Sequence, residues 1–237
     1  MVNLAEQAKT LLDLELTPQQ IEQFDRYAAL LDEWNQKMNL TAITEPDEVR
    51  VRHFLDSLTV VQVVSIAANM RLVDIGTGAG FPGLPLAIAF PQAHITLMDS
   101  TGKRVRFLEH VIEQLGLSNT RAVKMRAETA GQDSGHRAHY DLVLARAVAR
   151  LPGLVEYMLP LAKLDGYCVA MKGVTAREEA DDALNAMDIL GGGLENIEAV
   201  QLPNVDTPHY LVVIRKLAKT PTEYPRQPGT PTREPLL

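Results

Sequence analysis

The first seventy residues place apolar side chains at helical spacing. Thr17-Pro18-Gln19-Gln20 offers an N-cap, a proline at the first helical position and a capping-box glutamine; Ile21, Phe24, Tyr27, Leu31, Trp34 and Met38 then recur every three or four residues. Such a stripe predicts a helix face turned to the core rather than a ligand site. Beyond the polar break Asn39-Leu40-Thr41, two short helices are expected, Pro46 to Phe54 and Leu55 to Ile66. From Arg71 the pattern changes to short apolar runs alternating with amphipathic segments, the signature of a parallel sheet. Strands are predicted near Arg71–Ile75, His94–Asp99, Thr120–Arg126, Tyr140–Ala145, Gly166–Lys172, Asn196–Leu202 and Tyr210–Lys216. Helices fit between the first five strands and again at Thr175–Leu190. The last two strands are separated only by Pro203-Asn204-Val205-Asp206-Thr207-Pro208, which suits an antiparallel hairpin and not a crossover. The fold class is therefore α/β: a seven-stranded, mostly parallel, Rossmann-like sheet behind an N-terminal helical region. The chain divides into a helical region 1–70, an α/β domain 71–216 and an irregular tail 217–237 with five prolines.

Composition narrows the class. The 24 residues from Ile75 to Met98 carry no Asp, Glu, Lys or Arg, but four glycines and three prolines rule out a membrane span. With 46% hydrophobic and 22% charged residues in 237, the chain is an ordinary globular one. A single cysteine, Cys168, and no secretory n-region before an apolar segment lead us to expect a reducing cytoplasmic location. The net charge of -7 argues against a protein that coats nucleic acid. Segment counts qualify this, because 101–150 holds 9 basic against 5 acidic residues and 211–237 holds 5 against 2. Two basic regions thus survive inside an acidic protein, and any nucleic-acid contact they make is expected to be weak on a generic strand and to need a shaped target.

The first strand runs into Gly76-Thr77-Gly78-Ala79-Gly80-Phe81-Pro82-Gly83 before a helix, where a doubly wound sheet binds its ligand. Glycines let the backbone turn tightly and approach a ligand closely. A dinucleotide fingerprint requires glycine at the position of Phe81, so the spacing fits S-adenosylmethionine better than a pyrophosphate. Asp99 ends the second strand, 19 residues beyond Gly80, where a carboxylate can accept both ribose hydroxyls. Asp74 is placed to orient the loop or meet a methionine ammonium. Ala127-Glu128, just past the third strand, lie where an adenine edge would be read.

Seven segments in order carry a family resemblance: Asn39-Leu40-Thr41-Ala42-Ile43, His53-Phe54-Leu55-Asp56-Ser57-Leu58, the Gly76–Gly83 loop, Asp99-Ser100 with Lys103-Arg104, Arg126-Ala127-Glu128, Arg146-Ala147 and Lys172-Gly173. Together they resemble the 16S ribosomal RNA guanine-N7 methyltransferases, also called the glucose-inhibited division protein B family. The tail from Tyr224 to Pro231 resembles the ending of longer members. One departure is Ala145-Arg146-Ala147, where the family commonly has Ser-Arg-Ala. The resemblance implies an S-adenosylmethionine-dependent methyltransferase fold, with a guanine in the decoding region of small-subunit ribosomal RNA as acceptor. It also implies that Gly76, Phe81, Asp99, Ser100, Thr101, Ala127, Glu128 and Arg146 line the cofactor site.

Guanine N7 has an in-plane lone pair and no proton, so its methylation needs positioning rather than a base. The sequence fits that chemistry. The place after the fourth strand reads Ala145-Arg146-Ala147-Val148, not the Asn/Asp-Pro-Pro-aromatic segment of amine methyltransferases, and Cys168 sits in an apolar run as a packing residue. Arg146 is the expected catalytic contact, because its guanidinium can pair with guanine O6 or a phosphate. His53, Lys103, Arg104, Arg126 and Lys172 are expected on the RNA side. The histidines show no metal-ligand spacing, so no metal site is expected. Two rivals remain at this level: an NAD-dependent oxidoreductase, which shares the loop and acidic residue, and a non-catalytic cofactor-binding regulator on ribosomal particles.

Overall fold

The computed structural model describes residues 3–237 and joins seven strands in one sheet of order β3-β2-β1-β4-β5-β7-β6. These are β1 (Arg71–Ile75), β2 (His94–Asp99), β3 (Thr120–Lys124), β4 (Tyr140–Arg146), β5 (Ala162–Lys172), β6 (Gly192–Val200) and β7 (His209–Lys216). β1 to β5 run parallel, and β7 is antiparallel to both β5 and β6, as the short connection before it requires. Boundaries shift where the apolar signal is silent. β6 begins at Gly192-Gly193, paired with Lys216 and Arg215, and glycines carry no apolar pattern to read. β5 extends back to Ala162 by pairing with Tyr140 across a register irregularity.

Helices α1 (Leu4–Leu12) and α2 (Pro18–Met38) precede the sheet, and α2 carries the expected capping box between Thr17 and Gln20. The expected break between Phe54 and Leu55 is absent. The chain stays helical through α3 (Pro46–Val49), a π-helical turn at Arg50–Leu55, α4 (Asp56–Leu58) and a 3-10 turn at Thr59–Gln62. The wide turn keeps Val51, Phe54, Leu55 and Leu58 buried without breaking the helix. Between strands lie α5 (Gly83–Ala89), α6 (Gly102–Leu115), α7 (Ala127–Gln132) and α8 (Leu151–Met158). The single helix expected over Thr175–Leu190 is two, α9 (Ala176–Asp182) and α10 (Leu184–Leu190), broken at buried Ala183 so that both pack on α8. Among the described residues no helix is long and apolar enough to cross a membrane.

Strand alternation builds two core layers. Leu72, Leu97, Leu142, Val169 and Leu211 face the layer shared with α2, α5 and α6, while Val73, Met98, Val143, Cys168 and Val212 face α8, α9 and α10. The N-terminal helices belong to the first layer, so the described part of region 1–70 shares one core with the sheet.

The tail is mostly irregular, apart from α11 (Thr230–Arg233), but it is docked along α7 and α8. Arg137 donates to the carbonyls of Thr220, Pro221 and Tyr224 at 2.7–3.0 Å. Arg226 forks onto the fully buried Glu156, with Nη2 to Oε2 at 2.7 Å and Nε to Oε1 at 3.0 Å. The absence of a hydrophobic period hid this docking, because polar and backbone groups carry it.

Candidate functional site

In this strand order the chain leaves β1 and β4 toward opposite sides, and a crevice opens at their carboxyl ends. The glycine loop lines it. Thr77 ties the loop down: its N–H donates to Met98 O at 3.1 Å and its Oγ1 to Asp74 Oδ2 at 2.5 Å. The Gly83 N–H donates to the same Asp74 oxygen at 2.8 Å. Asp74 Oδ1 is buried with no partner, and burial pushes the carboxyl up to about 7. Gly78 has φ +61°, and a Cβ there would meet nothing nearer than Gly76 O at 3.9 Å, so bare backbone faces open space. Gly80 is glycine for packing as well as for its φ of +104°, since a Cβ would lie 2.3 Å from Leu84 Cδ1 and 2.8 Å from Tyr27 Oη. The Tyr27 hydroxyl donates to Ala79 O at 2.5 Å, pinning the loop to α2.

Asp99, 2% exposed at the end of β2, braces the opposite wall. Its Oδ1 accepts the Thr101 N–H at 2.7 Å and its Oδ2 the Gly78 N–H at 3.1 Å, with Arg104 Nη1 at 3.4 Å. Oδ1 keeps a lone pair for a further donor, and Oδ2 gains one where the exposed Arg104 gives up its long contact.

Arg146, at the end of β4, is gripped by the N-terminal region. Nη1 donates to Asp56 Oδ2 at 2.6 Å and to Arg52 O at 3.2 Å, and Nη2 to His53 Nδ1 at 2.8 Å. The guanidinium carbon lies 5.2 Å from the centre of the Phe81 ring, on which His53 stacks at 4.4 Å. Because Arg146 must donate, His53 Nδ1 is the acceptor and the ring proton is assigned to Nε2, 2.8 Å from Thr41 Oγ1. Burial, then the Arg146 charge, lowers the His53 pKa to about 4.

The sequence matches the GidB family, described as rRNA small subunit methyltransferase G, over residues 20–207. The chain belongs to that family. It is 49% identical to the ribosomal RNA small subunit methyltransferase G of Desulforamulus reducens, across 97% of this chain and 96% of that one. It is 48% identical to the protein of the same name from Bacillus subtilis, across 94% and 93% of the two chains. A SAM-dependent O-methyltransferase from Thermotoga maritima shares the fold at a TM-score of 0.54 and 15% identity, covering 81% of this chain and 72% of that one. GidB membership makes this chain an rRNA methyltransferase and replaces the oxidoreductase and regulator readings.

The GidB fold brings most of the expected residues to one crevice and turns three away. Gly76, Ser100 and Thr101 are exposed at its rim, with Ala127 half-buried. Lys103, Arg104 and Arg126 are exposed nearby, and Lys124 joins them: its Nζ would lie 3.6 Å from a Cβ on Gly102. His53, expected on the RNA side, is turned inward, 5% exposed with both ring nitrogens engaged. Lys172 is turned inward, onto Glu179 Oε2 at 2.8 Å and Ala149 O, which occupies its charge away from any phosphate. The Glu128 carboxylate is directed at the tail, accepting the Gly229 N–H at 2.9 Å. Phe81 is 5% exposed, so its ring supports Arg146 and His53 from within. Sequence reasoning gave no role to Asp56, Lys124 or His209. Asp56, three residues beyond His53, stood inside the family segment His53–Leu58 with no role of its own. Among the described residues no cluster could hold a metal ion. A basic cleft of about 360 Å³, lined by Arg71, His94, Arg121 and His139, opens at the amino ends of β1 to β3, away from the glycine loop.

Proposed function

We propose that this chain transfers the methyl group of S-adenosylmethionine to N7 of a guanine in the decoding region of 16S ribosomal RNA, acting in the cytoplasm on that RNA or on an assembling small subunit. The observation that carries the reading is the pair of buried carboxylates beside the glycine loop. Asp74 Oδ1 is orphaned, a costly state that an ammonium would relieve. Asp99 Oδ1 has a lone pair for one ribose hydroxyl and Oδ2 takes the second when Arg104 is displaced from its 3.4 Å contact, and the bare backbone at Gly78 admits a close approach. These groups fit the methionine and ribose ends of S-adenosylmethionine, with Ser100, Thr101 and Ala127 along the rim.

The bound cofactor supplies an electrophilic methyl on a sulfonium. Held by Asp74 and Asp99, it would offer that methyl in line to the N7 lone pair of guanine and would keep the carbon–sulfur electron pair, leaving the positive charge on the base. No proton leaves N7, so no base is called on. The side chains agree with this: His53, beside Arg146, has no free nitrogen, and Cys168 is buried in the second core layer with its thiol pushed up to about 12. Since the product base is cationic, Arg146 serves guanine O6 or a phosphate and not the reacting nitrogen. Lys103, Arg104, Lys124 and Arg126 supply phosphate contacts.

The test is transfer of labelled methyl from S-adenosylmethionine to unmodified small-subunit RNA, free and assembled, followed by mapping of the label. Label on a decoding-region guanine, lost on mild reduction and cleavage specific for N7-methylguanine, is expected. Label on an adenine or a cytosine refutes the reading.

A further inference from the structure

Asp56 comes from the N-terminal region, yet it joins three parts of the chain that are far apart in sequence. Its Oδ2 accepts from Arg146 at the end of β4 at 2.6 Å. Its Oδ1 lies 2.9 Å from His209 Nε2 at the start of β7, off the line that a hydrogen bond needs. The Asp56 side chain is 10% exposed.

A guanidinium has five N–H donors in a rigid fork. In Arg146 three are taken by Asp56, Arg52 O and His53, all from the N-terminal region. The Nε–H and one Nη2–H have no partner among the described residues. An arginine left free would spread over many rotamers and lose that freedom on meeting its ligand. Here the ordering is done on folding. Of the three acceptors, only Asp56 is charged. Arg52 contributes a backbone carbonyl, and His53, which accepts at Nδ1, is neutral.

We propose that Asp56 is the positioning residue of Arg146: it holds the guanidinium against Phe81 with two donors left for the RNA acceptor, while His209 closes off its other oxygen. This rests on Arg146 acting in methyl transfer. A carboxylate that only fastened the N-terminal region to the sheet would affect stability and leave the chemistry alone, so kinetics and folding separate the two roles.

The experiment measures kcat for RNA methylation and the S-adenosylmethionine Kd in Asp56→Asn, Arg146→Ala and the double variant, alongside Tm. Asp56→Asn is expected to lower kcat about tenfold or more with the cofactor Kd within about twofold, and to cost nothing further in the Arg146→Ala background, because residues acting as one unit are not additive. Should Asp56→Asn fail to fold, Asp56→Glu is read instead. It keeps the charge but displaces the guanidinium, and a lowered kcat at unchanged cofactor Kd is expected. Unchanged kcat in the folded Asp56 variant, or a multiplicative loss in the double variant, overturns the proposal while Arg146→Ala remains impaired. Full activity in Arg146→Ala instead overturns the underlying role of Arg146, and this inference with it.

Discussion

Asp74 and His53 lie on either side of the Phe81 loop and have opposite proton linkages. Burial raises the Asp74 carboxyl from 3.8 to about 7, so its contribution to stability is whole below pH 3.8 and is lost as the pH rises through about 7. Burial and Arg146 lower His53 from 6.5 to about 4, so its contribution is whole above pH 6.5 and is lost as the pH falls toward about 4. The urea midpoint is therefore expected to decline between about pH 6 and about pH 8 in the wild type, and to decline less in Asp74→Asn. The same carboxyl reports on the ligand. An ammonium beside Oδ1 favours the charged form, so S-adenosylmethionine should displace a proton near neutral pH. Calorimetry in two buffers of unlike ionisation enthalpy should give different binding enthalpies for the wild type and equal ones for Asp74→Asn. Equal wild-type enthalpies would remove Asp74 from the ligand's partners.

At the scale of one element, the glycine loop separates packing from access. A Cβ at Gly83 would stand 2.2 Å from Leu97 Cδ2 and 3.0 Å from Asp74 Oδ2, so Gly83→Ala must push apart a filled core. It is expected to cost about 1–3 kcal/mol, read as a lower urea midpoint. Gly78→Ala has room but a φ of +61°, and the left-handed backbone alone costs about 1–2 kcal/mol. Its methyl would stand on the open backbone that the ligand approaches, so cofactor affinity should fall by more than its stability does. If Gly78→Ala bound S-adenosylmethionine normally, the ligand would not lie over that glycine.

Across the whole molecule, buried polar ties hold the parts together. Tyr27 and Gln20 fasten α2 to the glycine loop and to the end of α5, while Arg137 and Arg226 fasten the tail to α7 and α8. Glu156 is fully buried, and Arg226 is its ion-pair partner among the described residues. Removing that arginine leaves a buried charge unpaired, so Arg226→Ala is expected to cost about 3–5 kcal/mol. The double variant Arg226→Ala/Glu156→Gln should recover much of it in chemical denaturation. No recovery would mean that the tail docks through its prolines and not through this pair.

The local features of this protein were legible in its sequence. Short apolar runs place the strands, Thr17 and Gln20 cap α2, and a glycine loop followed by Asp99 locates the crevice, because each signal lies within a short stretch of chain. The tertiary structure decided which side chains face that crevice. Lys172 and Glu128 sit beside it in sequence yet are drawn to Glu179 and to Gly229. Asp56 and Arg146 meet across 90 residues, and the π-helical turn at Arg50–Leu55 precedes Asp56 where an ordinary helix break was expected. A buried charged group takes its role from whatever lies opposite, and at such separations no periodicity in one sequence encodes that partner.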